Sequence, residues 1–570
     1  MNKRDCSIKA ALTAAGLAVV STATANNINV SNVTLQSINT TAGTAMVQFD
    51  LSWENSWRLT NGPANHDAAW VFVKFHVADN AWKTASLDIN EAVHSTPAGA
   101  TLDMGLTGAK GVGCFIYRAT SGSGNNNFNG VRLRWDYAAD GVSNSALVSL
   151  DVHAIEMVYV PQGSFQLGDG VIRNNTNKDT GTLCDGFKTP GSVFTTAPPF
   201  TVSGPGPISV GPVAGSLAVN GLPAGEYAAV PVTYPNGFSA FYTMKYEASQ
   251  HQWAAFLNTT SLFPSNTHTY TYFDVTSNTA QAPIDVPEPI RARQQFTSAD
   301  IPPPRPTPYF LPTTNDVPPV PTRPMVTALT PDRAFITTNN TVLGVPPPFP
   351  PVNTEALALV YLDWAGLRPM SEFEYEKVCR GPVAPLAGEF AWGTADAPLL
   401  PYGAPVNWSQ GLADDGTPNE RPLVNYNESG GNAWTRTTVL KYPAGGSVLG
   451  PCRVGMFAKS SYSGPTPPRI QSGAGYYGVM DLTGNTAELV VRWSFGLATV
   501  PDIAFTGEHG DGALAATGLH DVAGWPAAGA YALRGGSFEE VAQPVSQRAT
   551  LIGGVVRNPG IRGLRTAPSP

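Results

Sequence analysis

The stretch YLDWAGLRPMSEFEYEKVCRGP, residues 361–382, decides the fold of the second half of the chain. The apolar residues around its start recur at i, i+3, i+4 and i+7: Leu357, Val360, Tyr361 and Trp364. This spacing places them on one face of a helix. The pattern therefore predicts a short helix with one buried side.

Two capping boxes predict the starts of two further short helices. Ser371 stands three residues before Glu374, and Ser249 stands three residues before Gln252. In such a pair the serine side chain accepts a hydrogen bond from the N3 backbone, and the N3 side chain accepts one from the serine backbone. The rest of residues 155–567 is expected to form loops and short strands.

A proline-rich insertion interrupts this region at residues 302–351, where 16 of 50 positions are proline. Proline lacks a backbone N–H and is excluded from regular helices and central strands. We expect a polyproline-like excursion on the surface rather than a partner-binding motif.

Residues 28 to about 154 show a period-two pattern instead. Apolar and polar side chains alternate in 47–53 and again in 131–137, and the run at 70–77 has one continuous apolar face. Alternation of this kind predicts strands with a buried face, and clusters of Gly, Asn and Ser between them predict turns. We therefore predict an all-β sandwich over residues 26–154.

The composition excludes several classes of function. The 570 residues carry 34 basic and 42 acidic side chains, so the formal net charge of −8 offers no basic footprint for nucleic acid. Aromatic residues make up 10% of the chain, which is enough to build folded cores. No later segment reaches about 18 consecutive apolar residues, so we expect no transmembrane anchor.

Residues 1–25 predict a signal peptide. Lys3 and Arg4 precede a short apolar run, and residues 23–25 (Ala-Thr-Ala) fit a small-residue cleavage site. We expect a mature chain that starts near Asn26 and is periplasmic, secreted or held at the cell surface.

Four cysteines follow the predicted cleavage site: Cys114, Cys184, Cys379 and Cys452. In an oxidising compartment they can form up to two disulfides, in any of three connectivities, or remain buried thiols. A single bridge would join two of the last three, because Cys114 lies in the other predicted domain. Their spacing fits no zinc motif.

The landmarks after residue 155 together resemble one family. MVYVPQGSFQLGDG (157–170), the stretch at 361–382, YYGVMDLTGNTAEL (476–489), LRGGSF (533–538) and IRGLRTA (561–567) follow the order found in formylglycine-generating enzymes, also called sulfatase-modifying factors. For residues 155–567 this resemblance implies an α+β, C-type-lectin-like fold with little regular secondary structure.

The resemblance does not extend to the oxidase chemistry of that family. Its oxidases bind copper through two cysteines just after the GGS motif, because soft thiolates suit Cu(I). Here the nearest positions are Glu540 and Val545, and no cysteine follows Cys452. We expect no copper. The histidine motif of the family's iron sulfoxide synthases is not found among the eight histidines either.

The resemblance also implies structural calcium. Calcium prefers six to eight oxygen ligands and accepts carboxylates and carbonyls together, and its binding would offset loop entropy. The family's two calcium loops map onto the Asp481 side chain, the carbonyls of Gly484 and Thr486, the Glu488 carboxylate and, for the start of the second loop, Asn425 and Tyr426.

One further motif is the glycine-rich GEHGDG at 507–512, which contains His509 and Asp511. Such a loop can line a site, or it can be a tight turn whose backbone is capped by the aspartate.

These observations predict a secreted or surface protein that recognises or scaffolds an extracellular carbohydrate or protein without catalysis, with the loops after residue 495 as its presenting surface. Two alternatives stay open. One is a formylglycine-generating-type oxidase or another metal-dependent enzyme. The other is a structural component of an envelope or motility assembly.

Overall fold

The computed structural model covers the chain, and its described residues are 28–77, 82–172, 182–186, 197–219, 228–259, 273–274, 293–294, 296–299, 309–310, 325–328, 354–396, 412–413, 421–422, 451–458, 467–493, 505–516, 518–526, 530–538, 543–550 and 559–568. The predicted signal peptide, Asn425, Tyr426 and most of the proline-rich insertion lie outside these residues. Within the insertion, the described residues 309–310 and 325–328 form short strands.

The described residues are rich in strands and contain few helices. The strands are β1 (Asn29–Asn39), β2 (Thr44–Arg58), β3 (Asp67–Val77), β4 (Lys83–Thr84), β5 (Ala100–Thr107), β6 (Lys110–Arg118), β7 (Gly122–Asp136), β8 (Leu147–Val160), β9 (Phe165–Leu167), β10 (Leu183–Asp185), β11 (Phe200–Val202), β12 (Leu217–Val219), β13 (Phe241–Met244), β14 (Phe273–Asp274), β15 (Arg293–Gln294), β16 (Phe296–Ala299), β17 (Tyr309–Phe310), β18 (Met325–Ala328), β19 (Arg368–Ser371), β20 (Leu412–Ala413), β21 (Arg421–Pro422), β22 (Glu488–Val491), β23 (Tyr531–Arg534), β24 (Ala549–Thr550) and β25 (Gly563–Thr566). The α-helices are α1 (Gln250–Asn258), α2 (Thr354–Trp364), α3 (Glu372–Arg380) and α4 (Pro468–Ser472), and a single 3₁₀ turn covers Glu91–Val93.

The helix predictions from the sequence are confirmed. Both capping boxes form at the starts of α1 and α3, with Ser249 and Ser371 as N-caps. The i, i+3, i+4, i+7 pattern lies on α2, which covers all four residues and ends at Trp364. Every residue of α3 is buried, so its charged side chains must find partners inside the protein.

Two sheets organise the first 160 residues. The strands β1, β2 and β7 form one sheet, and β3, β5, β6 and β8 belong to a larger one. The sheets enclose a shared apolar cluster, in which the Phe75 and Trp135 rings lie 4.9 Å apart. The residues facing this cluster from β3, among them Val71 and Val73, are those that the alternation at 70–77 places on one face.

The second face of β3 is buried as well, which the alternation does not predict. Trp70 and Phe72 point away from the first cluster and pack with α1 and α2 in a second one. β3 is therefore covered on both sides, and the sheet that contains it forms the middle layer of the protein.

Strand β8 crosses residues 154 and 155, where the sequence predicts a domain boundary. It pairs with β3 over most of its length and with β13 at its end, where Met157 lies opposite Met244. From β13 the sheet continues through β25, β19, β22, β23 and β24. Strands from both predicted domains therefore belong to one sheet, and the division at residue 154 stays a prediction.

An aromatic cluster fills the junction beside β8. The His66 ring stacks on Tyr159 and Tyr117 at 4.9 and 4.4 Å, and its Nε2 lies 3.0 Å from the Tyr242 hydroxyl. Burial, with a smaller contribution from the Arg58 charge, lowers the pKa of His66 to about 3. The protein therefore folds with a neutral imidazole at this position.

Acidification is expected to destabilise the protein through His66. Because the folded pKa lies below the unfolded value, the stabilisation is complete above about pH 6.5 and falls by up to about 1.4 kcal/mol per pH unit below it. His66→Phe keeps an aromatic ring and removes the titration. Urea unfolding at pH 7 and pH 5 should show wild type losing about 2 kcal/mol more than the variant. Equal losses would show that His66 is not the responsible group.

Candidate functional site

The predicted calcium loop, residues 481–488, is buried and tightly curled. Asp481, Gly484 and Asn485 all have positive φ, at 59°, 83° and 57°. For a residue other than glycine this conformation is uncommon and persists only where the surroundings hold it. Asn485 supplies such a restraint, since its side chain accepts a hydrogen bond from the Cys452 backbone N–H at 2.9 Å. The loop is thus fixed by long-range contacts.

The acidic side chains of this loop already have partners. An oxygen of Asp481 accepts a hydrogen bond from the Gly455 backbone N–H at 2.5 Å. Glu488 forms a buried ion pair with Arg562, whose Nη2 lies 2.7 Å from Oε1. A third carboxylate, Glu247, accepts hydrogen bonds from the Asn485 side chain at 2.6 Å and the Thr486 backbone at 3.0 Å. Glu247 has no distinguishing spacing, so sequence reasoning missed it.

This cluster contains three carboxylates, and the guanidinium groups of Arg562 and Arg453 act on them. Burial and the nearby Asp481 and Glu488 raise the pKa of Glu247 well above its usual value. Burial raises the pKa of Asp481 to about 6, and it raises the pKa of Glu488 against the opposing effect of Arg562. Such a cluster can bind protons or a cation to reduce its repulsion. Calcium prefers oxygen donors of this kind, and the Arg562 guanidinium already pairs with Glu488, so calcium at this loop stays a prediction.

Calcium binding here would make stability depend on free calcium. If calcium binds, Glu488→Gln should lower the melting temperature in calcium and change it little in chelator. A hundredfold excess of calcium over its dissociation constant stabilises the folded state by about 2.7 kcal/mol, a shift of a few degrees. If Arg562 alone serves Glu488, the variant should cost the same in both buffers. Equal melting temperatures of wild type in calcium and in chelator would exclude the site.

A second acidic cluster joins the end of α2 to the GEHGDG loop. Oxygen atoms of Asp363, Asp511 and Asp521 lie within 4.8 Å of one another. Asp363 is fully buried and accepts backbone hydrogen bonds from Asp511 at 3.3 Å and Asp521 at 3.2 Å. Burial raises the pKa of Asp363 to about 7. Among the described residues these three are the acidic group whose oxygens converge closely enough to hold a metal ion, and Asp481, Glu488 and Glu247 do not form such a group.

The contacts of the loop at 507–512 are those of a tight turn, one of the two alternatives that its sequence allows. A Cβ on Gly510 would lie 2.5 Å from the Asp363 Cα, so only glycine allows this approach. His509 Nε2 accepts a hydrogen bond from the Thr566 backbone N–H at 2.9 Å. The ammonium of buried Lys74 donates to the carbonyl oxygen of Gly512 at 2.8 Å. Backbone packing therefore accounts for most contacts of this loop.

An open cleft lies where the end of β2 meets loops from the second half of the chain. Its volume is ≈ 320 Å³, within the range of small-ligand sites. Four aromatic side chains line it: Trp57, Tyr246, Tyr476 and Tyr477. The polar residues of its lining are Asn55, Asn65, Lys245 and Ser472.

The cleft is held in shape by contacts across the junction. The Asn65 side chain donates a hydrogen bond to the Tyr477 carbonyl oxygen at 2.7 Å. Gly478 has a φ of +89°, and a Cβ on it would lie 3.0 Å from the Trp57 ring. The rings of Tyr476 and Tyr477 meet edge to face at 5.0 Å. Residues from both halves of the sequence therefore fix the walls.

A buried ion cluster supports one wall. The Lys245 ammonium lies 2.8 Å from Glu156 and 3.4 Å from Asp67, and neither carboxylate belongs to the described lining. The same ammonium lies 4.9 Å from the centre of the Trp57 ring and 5.3 Å from that of Tyr246. The Lys245 ammonium therefore already lies against the rings of the aromatic wall.

The cysteines form no site. Cys114, Cys184, Cys379 and Cys452 are buried and form no disulfide with one another, so the possible disulfide among the last three is not formed. Burial raises the pKa of Cys184 and Cys379 to about 12. Val545, at one of the positions where the family's oxidases carry cysteine, is a buried apolar residue.

No protein-family model matches the chain, and a search of curated proteins finds no match either. The likeness to formylglycine-generating enzymes therefore rests on the motifs quoted above. Among the described residues no helix is both long and apolar enough to cross a membrane.

Proposed function

We propose that this chain is an exported recognition protein that binds an extracellular ligand in the cleft lined by Trp57 and Tyr476. In this proposal residues 155–567 form a domain like the formylglycine-generating enzymes, with a C-type-lectin-like fold, and calcium at Asp481 and Glu488 stabilises its loops. The observation that carries the proposal is the cleft itself, which combines aromatic walls with amide groups and opens to solvent.

The chemistry of the lining favours binding over catalysis. A general acid or base must reach the ligand. The two carboxylates that pair with Lys245, Asp67 and Glu156, are not among the residues of the described lining. The four described thiols are buried, and burial raises the pKa of Cys184 and Cys379 to about 12, which disfavours the thiolate form that binds copper. These features support a protein that holds its ligand unchanged.

The short elements of the second half support the proposed domain type. α3 begins with a capping box within the stretch at 361–382 that carries the resemblance, and the helix is short and buried. Buried ion pairs connect its short elements, for example Arg368 with Glu374 at 2.6 Å and Arg534 with Glu372 at 2.9 Å.

Binding arrays test the proposal. The fluorescently labelled protein is applied to printed arrays of glycans and of peptides, and each ligand it retains is recovered and weighed by mass spectrometry. We expect wild type to bind at least one printed ligand, the Trp57→Ala variant not to bind it, and the mass of the recovered ligand to equal that of the printed compound. A ligand that is chemically altered by wild type, or retention that does not depend on Trp57, would contradict the proposed function.

A further inference from the structure

We propose that the ligand of this cleft is a neutral saccharide, with a sugar ring against the aromatic wall and a hydroxyl group on the Asn55 amide. The inference rests on the proposed function and adds the chemical class of the ligand. It follows from the charges and the aromatic rings of the described lining and from the Asn55 amide.

The aromatic rings select a ligand with an apolar face. Trp57 and Tyr476 are partly exposed, while Tyr246 and Tyr477 are buried behind the surface. Aromatic faces carry partial negative charge and attract the weakly positive C–H groups of a flat ring. A sugar ring presents such C–H groups on one face and hydroxyl groups around its edge. A purely apolar ligand would leave the polar part of the lining without partners.

A cationic ligand does not fit this wall. Aromatic cages bind ammonium groups through the ring faces. Here the Lys245 ammonium already lies 4.9 Å from the Trp57 ring centre and 5.3 Å from the Tyr246 ring centre. The Lys245 ammonium therefore already occupies a position over these rings that a ligand cation would take.

An anionic ligand does not fit either. Lys245 is the cation of the described lining, and two carboxylates, Asp67 and Glu156, already accept its hydrogen bonds. An incoming carboxylate or sulfate would have to compete with both and would meet their negative charge. The remaining class is a ligand that is polar and uncharged.

Asn55 supplies a free hydrogen-bonding group. It lies at a β-bulge, where the pairing of β2 with β7 shifts between Trp53 and Ser56, and its φ is 54°. Bulges redirect a side chain, and strained backbone is concentrated at functional sites. In the described part of the protein the Asn55 side-chain amide makes no hydrogen bond, and it lines the cleft. An amide can donate to one hydroxyl and accept from another.

The backbone at Asn55 also provides a clean test. Glycine adopts positive φ without strain, so Asn55→Gly should remove the amide and keep the fold. Val232→Ser is the control, since Val232 is 65% exposed and lies outside the lining. Thermal melting of each variant establishes that it is folded before binding is measured.

Calorimetry with defined probes tests the inference. Wild type is titrated with neutral tetrasaccharides of glucose, mannose and N-acetylglucosamine, with tetragalacturonate and with choline. We expect at least one neutral tetrasaccharide to bind, about a tenfold loss of affinity in Asn55→Gly for one lost hydrogen bond, and no loss in Val232→Ser. Tyr476→Ala, a second variant, should also weaken binding.

Three results would overturn the inference. The first is that no neutral tetrasaccharide binds at about 10 mM, a concentration far above the dissociation constant of a functional ligand. The second is tighter binding of choline or tetragalacturonate. The third is unchanged affinity in both Asn55→Gly and Tyr476→Ala. A peptide ligand on the arrays that is retained through Trp57 would leave the proposed function standing and refute the saccharide. A neutral saccharide that wild type cleaves would refute the proposed function, which requires an unchanged ligand, and would leave the saccharide as the ligand class.

Discussion

Replacing Glu372 with glutamine is expected to destabilise the protein by about 3–5 kcal/mol. Glu372 is fully buried at the start of α3, and its oxygens accept hydrogen bonds from Arg548 at 2.7 and 2.8 Å and from Arg534 at 2.9 Å. The Trp493 backbone N–H donates a further bond at 2.7 Å. Without the carboxylate, Arg548 and Arg534 each lose an ion pair, although Arg534 keeps the one with Glu376 at 3.2 Å. Burial of a poorly compensated charge is costly.

The measurement is urea unfolding at neutral pH. The matched control is Arg134→Gln, which removes a more exposed ion pair with Asp88 at 3.4 Å. Exposed pairs contribute at most about 1 kcal/mol, so the control should change stability little. A Glu372→Gln variant as stable as this control would show that the buried network does not hold the second half of the chain together.

Trp70→Ala is expected to cost about 3–5 kcal/mol, because Trp70 connects the two halves of the sequence. Its ring is fully buried, its Nε1 donates to the Ala365 carbonyl oxygen at 2.8 Å, and the Arg565 guanidinium lies 4.6 Å from the ring centre. A Cβ on Gly105 would lie 2.3 Å from the ring, so glycine at this position leaves the space that the indole fills.

Two comparisons make this second prediction specific. Trp70→Phe keeps most of the apolar area but loses the hydrogen bond, so it should cost clearly less than Trp70→Ala. Ile89→Ala removes an apolar side chain that is 53% exposed and should be close to neutral. Unfolding is followed by circular dichroism and by tryptophan fluorescence. Two separate transitions, with only the first moved by Trp70→Ala, would show that the halves fold independently.

Local patterns in the sequence predicted the elements that depend on neighbouring residues. The alternation at 47–53 predicts part of β2, and the serine and glutamate at 371 and 374 predict the start of α3. Such signals are local because a strand face or a helix cap is decided by residues two to four positions apart.

The arrangement of the sheet was not predictable in the same way. β8 pairs with β13 although more than 80 residues separate them, and nothing in either strand names its partner. A strand with both faces buried, such as β3, also carries no marker for what covers its second face. The boundary at residue 154 was predicted from a change in hydrophobic periodicity along the chain, whereas β8 continues across it and pairs with β3 and β13.

The candidate sites show the same division. The spacing of Asp481 and Glu488 pointed to the loop they share, whereas Glu247 and Arg562 reach it from distant strands. Asp363 is the second-last residue of α2 and becomes part of an acidic cluster only through the fold. The cleft could not be predicted at all, since Asn55 and Tyr476 are brought together by the sheet between them.

The central claim is that the cleft at Trp57 binds the ligand, and fluorine NMR tests it most directly. The 12 tryptophans are labelled with 5-fluorotryptophan, and Trp57→Phe identifies the Trp57 resonance by its loss. On titration with the tetrasaccharide that binds in calorimetry, the Trp57 resonance should shift in a saturable way and more than any other. A saturable shift of a different tryptophan with Trp57 unchanged, or no shift at all, would contradict the account.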